Sequence, residues 1–382
     1  MCDYIPEYVV IEILKRLTVK SLVRFRSICK SWNSVICDPC FISTHLQASL
    51  SNSTPFLLLR YENYYLHYDN DGFDKFKQLQ FPPFGRLFYY PVVGSCNGLI
   101  CVRLYPFDNF IFFLWNPSIQ KYISLPQVKI SKVVYLNVGF GVDLRTNDYK
   151  LLIVVVCKIG GPIEPYLFSL NGNCWKRVTA NPPNYAFDSR DMTFVNGVVH
   201  WLGFKGRNNF GCNWAILGFD MSVEEFFEMK LPESLFGFHH VDLSIMKYGE
   251  SSITSTTHPL RGVLHELWVM KEYGVVDSWT KVLTLHRCGR HAWIPRVLEF
   301  RKNREVLLRV DDEKITSLDL YCQQMEAPLY FNCQQMELNG VEVVGDLESA
   351  KSYVESIVFL DKAVNFCSKN GVNHPIDSSD WE

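Results

Sequence analysis

The sequence predicts an α+β multidomain chain: an N-terminal unit of three helices, then an all-β, propeller-like domain of about six blades. Three observations lead there. Apolar residues recur at helical spacing through residues 1–47. From residue 56 to residue 360, short β-branched and aromatic runs alternate with Gly, Asn, Asp and Pro. Turn signals inside that region return about every 50 residues, an interval that suits blades of several strands each.

The helices come first. Pro6 suits a first helical position, where its missing N–H would have had no partner anyway. Val10, Ile13, Leu14 and Leu17 follow at i, i+3, i+4 and i+7, one face of a helix. Thr18 interrupts the pattern, "VKSLVRFRSI" starts a second helix, and "CKSWNSVI" makes a third that Pro39 in "CDPC" is expected to stop. "FISTHLQASL" adds a last turn before a polar linker over 48–55. Leu22, Phe25, Cys29, Trp32 and Ile36 fall at alternating spacings of 3 and 4, widened by Ile28 and Val35, with Arg24, Arg26 and Lys30 between them. That is one apolar stripe. Helices in so short a segment bury little by themselves. The stripe therefore reads either as an interface with a partner or as a face packed against the rest of the chain.

The strands come next. "FLLLRYE", "GLICVRLY", "NFIFFLW", "YKLLIVVV", "GVVHWLGF", "WAILGF", "HELWVM" and "EVLLRV" carry strand signals bounded by turn residues. Asn97-Gly98, Asn147, Asn196-Gly197, Tyr248-Gly249 and Asn303 each precede such a run, and they set the recurring interval. A second pair of markers alternates with the first. Strands end in Leu125-Pro126 and Leu231-Pro232, and "CWKRV" at Trp175 and "SWTKV" at Trp279 fall between and after them. The late run "YVESIVFL" (353–360) is expected to pair beside "PFLLLRYE" and close the ring, which removes sheet edges that would otherwise invite aggregation. Residues 361–382 are left as a tail.

Composition narrows the class. The chain has 382 residues, 48% hydrophobic and 20% charged, with a net charge of −2. Such a balance supplies no field for nucleic acid or an acidic membrane surface, so neither is expected as a partner. The longest apolar runs, such as "LLIVVVC", are far short of the ~20 residues that span a bilayer. The start "MCDYIPEYVV" lacks a basic n-region, and the 13 cysteines follow no framework spacing. The expectation is a cytoplasmic or nuclear protein with reduced thiols.

At this point a family resemblance appears. "IPEYVVIEILKRLTVKSLVRFRSICKSWNSVICDPCF" (5–41) resembles the F-box motif of plant F-box proteins. "SCNGLICV", "LWNPSIQKYISLP", "FVNGVVHWLGF", "LHELWVM", "SWTKV" and "YVESIVFL" resemble the kelch-related F-box-associated domain, and the S-locus F-box proteins look similar. The resemblance implies an F-box over 1–47, a linker over 48–55 and a propeller over 56–360. It also implies a role: substrate-recognition subunit of a Skp–cullin–F-box (SCF) ubiquitin ligase. The F-box would dock on a Skp-type adaptor, and through it reach cullin and RING subunits. The propeller would bind a target protein, a pistil ribonuclease if the S-locus likeness extends that far. Ile5, Pro6, Leu14, Leu17, Val19, Leu22 and Trp32 would contact the adaptor or shape that face. No catalytic residue and no cofactor are implied, because other subunits handle the ubiquitin. Thr18 departs from the family, which usually has Pro there; a weaker preorganisation of the second helix is expected.

Other signals point less far. Cys37-x-x-Cys40 is half a zinc spacing with no second pair. His286, Cys288 and His291 share one loop, as do His239 and His240, and Asp311-Asp312 is a charge pair at a turn. No phosphate-cradling glycine motif and no nucleophile elbow occur. "CQQME" stands twice, at 322–326 and 333–337, with Pro328 between the copies. Two competing classes remain beside the ligase subunit. One is a propeller interaction module without ligase partners; the other is a propeller enzyme, which should show converging carboxylates or metal ligands.

Overall fold

The computed structural model describes residues 6–52 and, with interruptions at the connections, residues 56–358. Four helices come first: α1 (Glu7–Leu14), α2 (Val19–Phe25), α3 (Lys30–Ile36) and α4 (Pro39–Asn52). The expected count of three is corrected here. Pro39 does not stop a helix but opens one. The Asp38 carboxylate accepts the backbone N–H of Cys40 at 2.9 Å and of Phe41 at 3.1 Å, so two amides that a helix start leaves unpaired are satisfied. The polar run read as a linker is accordingly helical through Asn52.

The expected stripe also divides. Helix α2 ends at Phe25 and α3 begins at Lys30, with Cys29 as its N-cap. The Cys29 sulfur accepts the Trp32 amide at 3.4 Å. Leu22 and Ile36 are buried, Cys29 is exposed, and Ile28 is 60% exposed. The 3–4 spacing ran across a turn: Leu22, Phe25, Trp32 and Ile36 share one centre, whereas Cys29 and Ile28 in the turn face away from it.

All other described secondary structure, apart from one short 3-10 turn, is β. The first sheet holds β1 (Phe56–Tyr61), β2 (Asn63–Tyr68) and β3 (Lys75–Leu79). The second holds β4 (Val92–Cys96), β5 (Leu99–Leu104), β6 (Ile111–Asn116) and β7 (Lys121–Ser124). The third holds β8 (Tyr135–Asp143), β9 (Asp148–Val156), β10 (Ile163–Ser169) and β11 (Cys174–Arg177). The fourth holds β12 (Ala186–Val195), β13 (Val198–Asn208), β14 (Gly211–Asp220) and β15 (Phe226–Lys230). The fifth holds β16 (Val241–Tyr248), β17 (Ser252–Pro259), β18 (Leu264–Met270) and β19 (Trp279–His286). The sixth holds β20 (Arg296–Phe300), β21 (Val306–Arg309) and β22 (Lys314–Leu318). Next, β23 (Leu329–Phe331) lies parallel along the outer edge of the fifth sheet, and β24 (Val341–Glu342) joins the outer edge of the sixth. Finally β25 (Ser349–Tyr353) returns to pair antiparallel with β1.

The innermost strands β4, β8, β12, β16, β20 and β25 follow one another around a ring, and β25 meets β4. Each seam between neighbouring sheets has its own apolar cluster. Phe113 and Tyr353 sit between the first and second sheets, Leu114 and Phe140 between the second and third, and Leu152 and Trp201 between the third and fourth. Ile216 and Met270 pack between the fourth and fifth, Leu267 and Val297 between the fifth and sixth, and Leu59 and Leu298 between the sixth and first. This is an all-β propeller behind an N-terminal helical unit.

The recurring turn signals mark one position in five of the six sheets, the hairpin from first to second strand. Asn97, Asn147 and Asn196 adopt φ of 52°, 54° and 54°, the left-handed conformation that Asn tolerates. The alternating markers bond to each other. Trp175 in β11 donates its indole N–H to the Pro126 carbonyl at 2.6 Å. Trp279 in β19 donates to the Lys230 carbonyl at 3.2 Å, beside Leu231-Pro232. Each tryptophan therefore ties an outer strand to the end of the preceding sheet.

The closing strand is displaced from its expected place. Strand β25 ends at Tyr353, and residues 354–358 of "YVESIVFL" leave the sheet. Alternating Tyr, Val, Ile and Val resemble a strand, but the buried Ile357 and the half-buried Val358 pack against two different bodies. The tail over 361–382, both CQQME copies, His239-His240, Asp311-Asp312, Cys288 and His291 lie outside the described residues.

Candidate functional site

The helical unit has a small centre: Leu14, Val19, Leu22, Ile36 and Phe41, together with Ile357. His45 in α4 pins the group together, its ring Nε2–H donating to the Leu17 carbonyl at 2.9 Å. Arg26 reaches from the end of α2 to Asn33 in α3 at 3.1 Å. Thr18 caps α2, its hydroxyl accepting the Ser21 amide at 3.4 Å. Its φ of −65° is the value a proline would impose. The substitution thus keeps the backbone path and adds a cap.

The family-implied residues separate by exposure. Leu14, Val19 and Leu22 are buried in the centre, Leu17 and Trp32 are half-buried at its edge, and Pro6 is exposed as the N-cap of α1. Ile5 lies outside the described residues. Trp32 stands edge-on to Phe25 with ring centroids 5.2 Å apart, a favourable aromatic geometry. Side chains not named among the family-implied residues lie on the outside: Tyr8 is 69% exposed, and Ile13, which the periodic pattern placed on the apolar face, is 51% exposed. Together with Ile28 they are large apolar groups left in water while the centre is filled. Exposed positions look no different from core positions in a periodic apolar pattern, so spacing alone did not separate them. The unit also carries a groove, floored by Ile11, Val35 and Phe41 and edged by Glu7, Lys15 and Asp38. Lys15 bonds Glu12 at 2.8 Å and draws the Glu12 carboxyl below its usual range.

The helices sit at one end of the ring. Neighbouring strands within each sheet run antiparallel apart from β23, so successive connections emerge at opposite ends. One end carries the tight turns, including 97–98, 117–120, 144–147, 196–197 and 221–225. Ile119 from one of these turns packs on the helices. The strand ends joined by 80–91, 125–134, 178–185, 231–240 and 287–295 face the other way.

Polar groups in the ring are structural in their arrangement. Lys150 Nζ bonds Asp143 at 3.0 Å, Glu224 at 3.1 Å and the Met221 carbonyl at 2.7 Å, across the seam between the third and fourth sheets. Burial by itself raises the Asp143 carboxyl. Hydrogen bonds from Ser222, the Arg145 amide and Lys150 outweigh it and hold the group well below the usual carboxylate range. His200 meets the Tyr273 hydroxyl at 2.7 Å, and burial pushes the imidazole down to about 3, so it is uncharged near neutral pH. Arg301 bonds Asp69 at 2.5 Å across the seam between the sixth and first sheets. Among the described residues no group of three His, Cys, Asp or Glu is placed to hold a metal. Cys37 and Cys40 are free thiols.

Residues 65–363 match the F-box associated beta propeller domain, and residues 3–44 match the F-box domain. The chain belongs to the F-box proteins with this propeller domain. It is similar to the F-box/kelch-repeat protein At3g23880 of Arabidopsis thaliana, 30% identical over 72% of this chain and 77% of that one. It is also similar to the F-box protein CPR1 of the same plant, 27% identical over 86% of this chain and 85% of that one. The F-box is thus the four-helix unit at the tight-turn end of the propeller. No helix among the described residues is long and apolar enough to cross a membrane.

Proposed function

We propose that this protein is the substrate-recognition subunit of an SCF-type ubiquitin ligase, in the cytoplasm or nucleus. Its F-box docks on a Skp-type adaptor and through it on cullin and RING subunits. Its propeller holds a target protein for ubiquitin transfer, with the catalytic steps carried out by the other subunits. The observation that carries this reading is the exposure of Tyr8, Ile13 and Ile28 on a helical unit whose centre is already filled. Exposed apolar groups of that size on a unit that matches the F-box domain support a protein-binding surface. Pro6, Leu17 and Trp32 border the docking face, and Leu14, Val19 and Leu22 give it shape from beneath. The target sits at the end of the ring opposite the F-box, on the longer connections, where loops carry specificity. A pistil ribonuclease is the target that the S-locus likeness proposes.

The test uses surface substitutions, which leave the fold intact. The triple variant Tyr8→Asp, Ile13→Asp, Ile28→Asp should lose at least about tenfold in affinity for a purified Skp-type adaptor, the scale of one lost apolar anchor or more. Its thermal unfolding should match that of the parent. Unchanged adaptor binding by the triple variant, or none by the parent, overturns the reading. The parent failing to bind would leave an interaction module without ligase partners.

A further inference from the structure

We propose that residues 353–358 form a latch that makes the folding of the F-box conditional on closure of the propeller. The segment follows the last strand and is held by three fixed points on the second sheet. The Tyr353 hydroxyl and Ser118 Oγ share a hydrogen bond of 2.6 Å. The Asn116 amide donates to the Ser356 carbonyl at 3.2 Å, to Ser356 Oγ at 3.4 Å and to the Val358 carbonyl at 3.0 Å. Asn116 is fully buried, and its own carbonyl accepts the Ser118 amide at 3.0 Å, which fixes the orientation of its amide. Gly98 clears the path: its φ is +80°, and a Cβ there would stand 2.4 Å from Ser356 Oγ.

So held, consecutive side chains enter two different cores. Val358 packs against the cluster between the second and third sheets. Ile357, 1% exposed, becomes one of the six buried residues at the centre of the F-box. Ile119, next to Ser118 in the same turn, packs on the F-box too. A helical unit this small has no apolar surface to spare, so a centre completed from outside is stable only while its supplier is in place. The supplier is in place only when β25 has paired with β1. Coupling of this kind is reciprocal, and an ordered F-box must in turn favour the closed ring.

The functional consequence rests on the reading of the F-box as an adaptor-binding element. A chain whose ring is open, by truncation or by misfolding, presents no ordered docking face and recruits no ligase. Only a propeller able to hold a target is connected to the machinery that acts on the target.

The experiment is amide hydrogen exchange on the full chain, comparing the parent with Ile357→Ala and Ile357→Val, alongside adaptor titration of the same three proteins. In Ile357→Ala, exchange across residues 7–36 should rise at least about 30-fold. Strands β5, β9 and β13 should keep their protection, Ile357→Val should restore most of the loss, and adaptor affinity should fall in step with it. Unchanged exchange in the helices overturns the latch whatever the adaptor does. Loss spread equally over β5, β9 and β13 also overturns it, because Ile357 would then support the whole chain rather than the F-box. Should the parent bind no adaptor while Ile357→Ala still frees the helices, the latch stands and the assigned function falls.

Discussion

The F-box and the propeller bury their apolar residues by opposite means. The F-box has a single centre of six buried side chains, one of them supplied from residue 357. The propeller has a separate cluster at every seam, and each sheet contributes to two of them. A side chain lost from the ring weakens one seam of several, and the neighbours hold the strands in place. A side chain lost from the F-box weakens the only centre it has. The same substitution should therefore read as a local collapse in one region and as a modest shift in melting in the other.

The largest expected effect tests that contrast directly. Leu22 and Leu152 are both fully buried. Each change to Ala should cost about 2–5 kcal/mol in transfer and cavity terms. In Leu22→Ala the four helices should lose exchange protection and proteolytic resistance at temperatures where the ring is intact. In Leu152→Ala the whole ring should melt lower as one cooperative unit, with no selective opening of β9. Equal behaviour of the two variants would erase the distinction.

Next comes the ionic cluster at one seam. Lys150→Met should cost about 3 kcal/mol, because it strands the Asp143 carboxylate in a buried place. The pH dependence follows from the depressed Asp143 pKa. A carboxyl held below its unfolded value of about 3.9 contributes stability above that pH and loses it as pH falls towards the folded value. Chemical denaturation of the parent should thus show a steep loss below about pH 4, and Lys150→Met a shallower one.

A smaller effect belongs to the tryptophan ties. Trp279→Phe keeps one aromatic ring but removes the indole's second ring and the bond to the Lys230 carbonyl, the bond alone contributing about 1 kcal/mol. The loss should appear as faster exchange in β15 and β19 and leave β5 unchanged. The smallest is Thr18→Ala. The cap on α2 is long at 3.4 Å, and about 0.5 kcal/mol is expected, seen as a slight weakening of F-box protection alone.

How far the sequence announced this molecule depended on what each residue reports. Asn97, Asn147 and Asn196 fix a backbone conformation by themselves, so their spacing located the hairpins. Trp175 and Leu125-Pro126 were visible as alternating markers, although the bond between them was not, because partners in different sheets leave no local trace. The break between α2 and α3 was read at Ile28–Cys29 even though apolar residues continue at helical spacing across the turn, and α3 does begin with Cys29 as its N-cap. The end of α4 was obscured by the polar pair Ser51-Asn52, which reads as linker although both residues are helical. Within the helical unit, Leu14, Val19 and Leu22 were legible as apolar positions, whereas the exposure of Tyr8 and Ile13 became apparent only in the folded chain. Ile357 is the extreme case. Nothing in the sequence near residue 357 refers to a helix more than three hundred positions earlier.

The pairing of β25 with β1 also sets an order of events in time. Residues 56–61 leave the ribosome long before residues 349–353, their partner, are made. During that interval β1 has β2 on one side and a bare row of amides and carbonyls on the other, the kind of edge that recruits foreign strands. Contacts of such long sequence separation form slowly, because the chain entropy of closing the loop must be met first. Closure of the ring is therefore expected to be the slow step of folding, to be checked by refolding kinetics of the full chain. Anything that shields β1 while the final strand is still being made should raise the yield of folded protein without changing its stability.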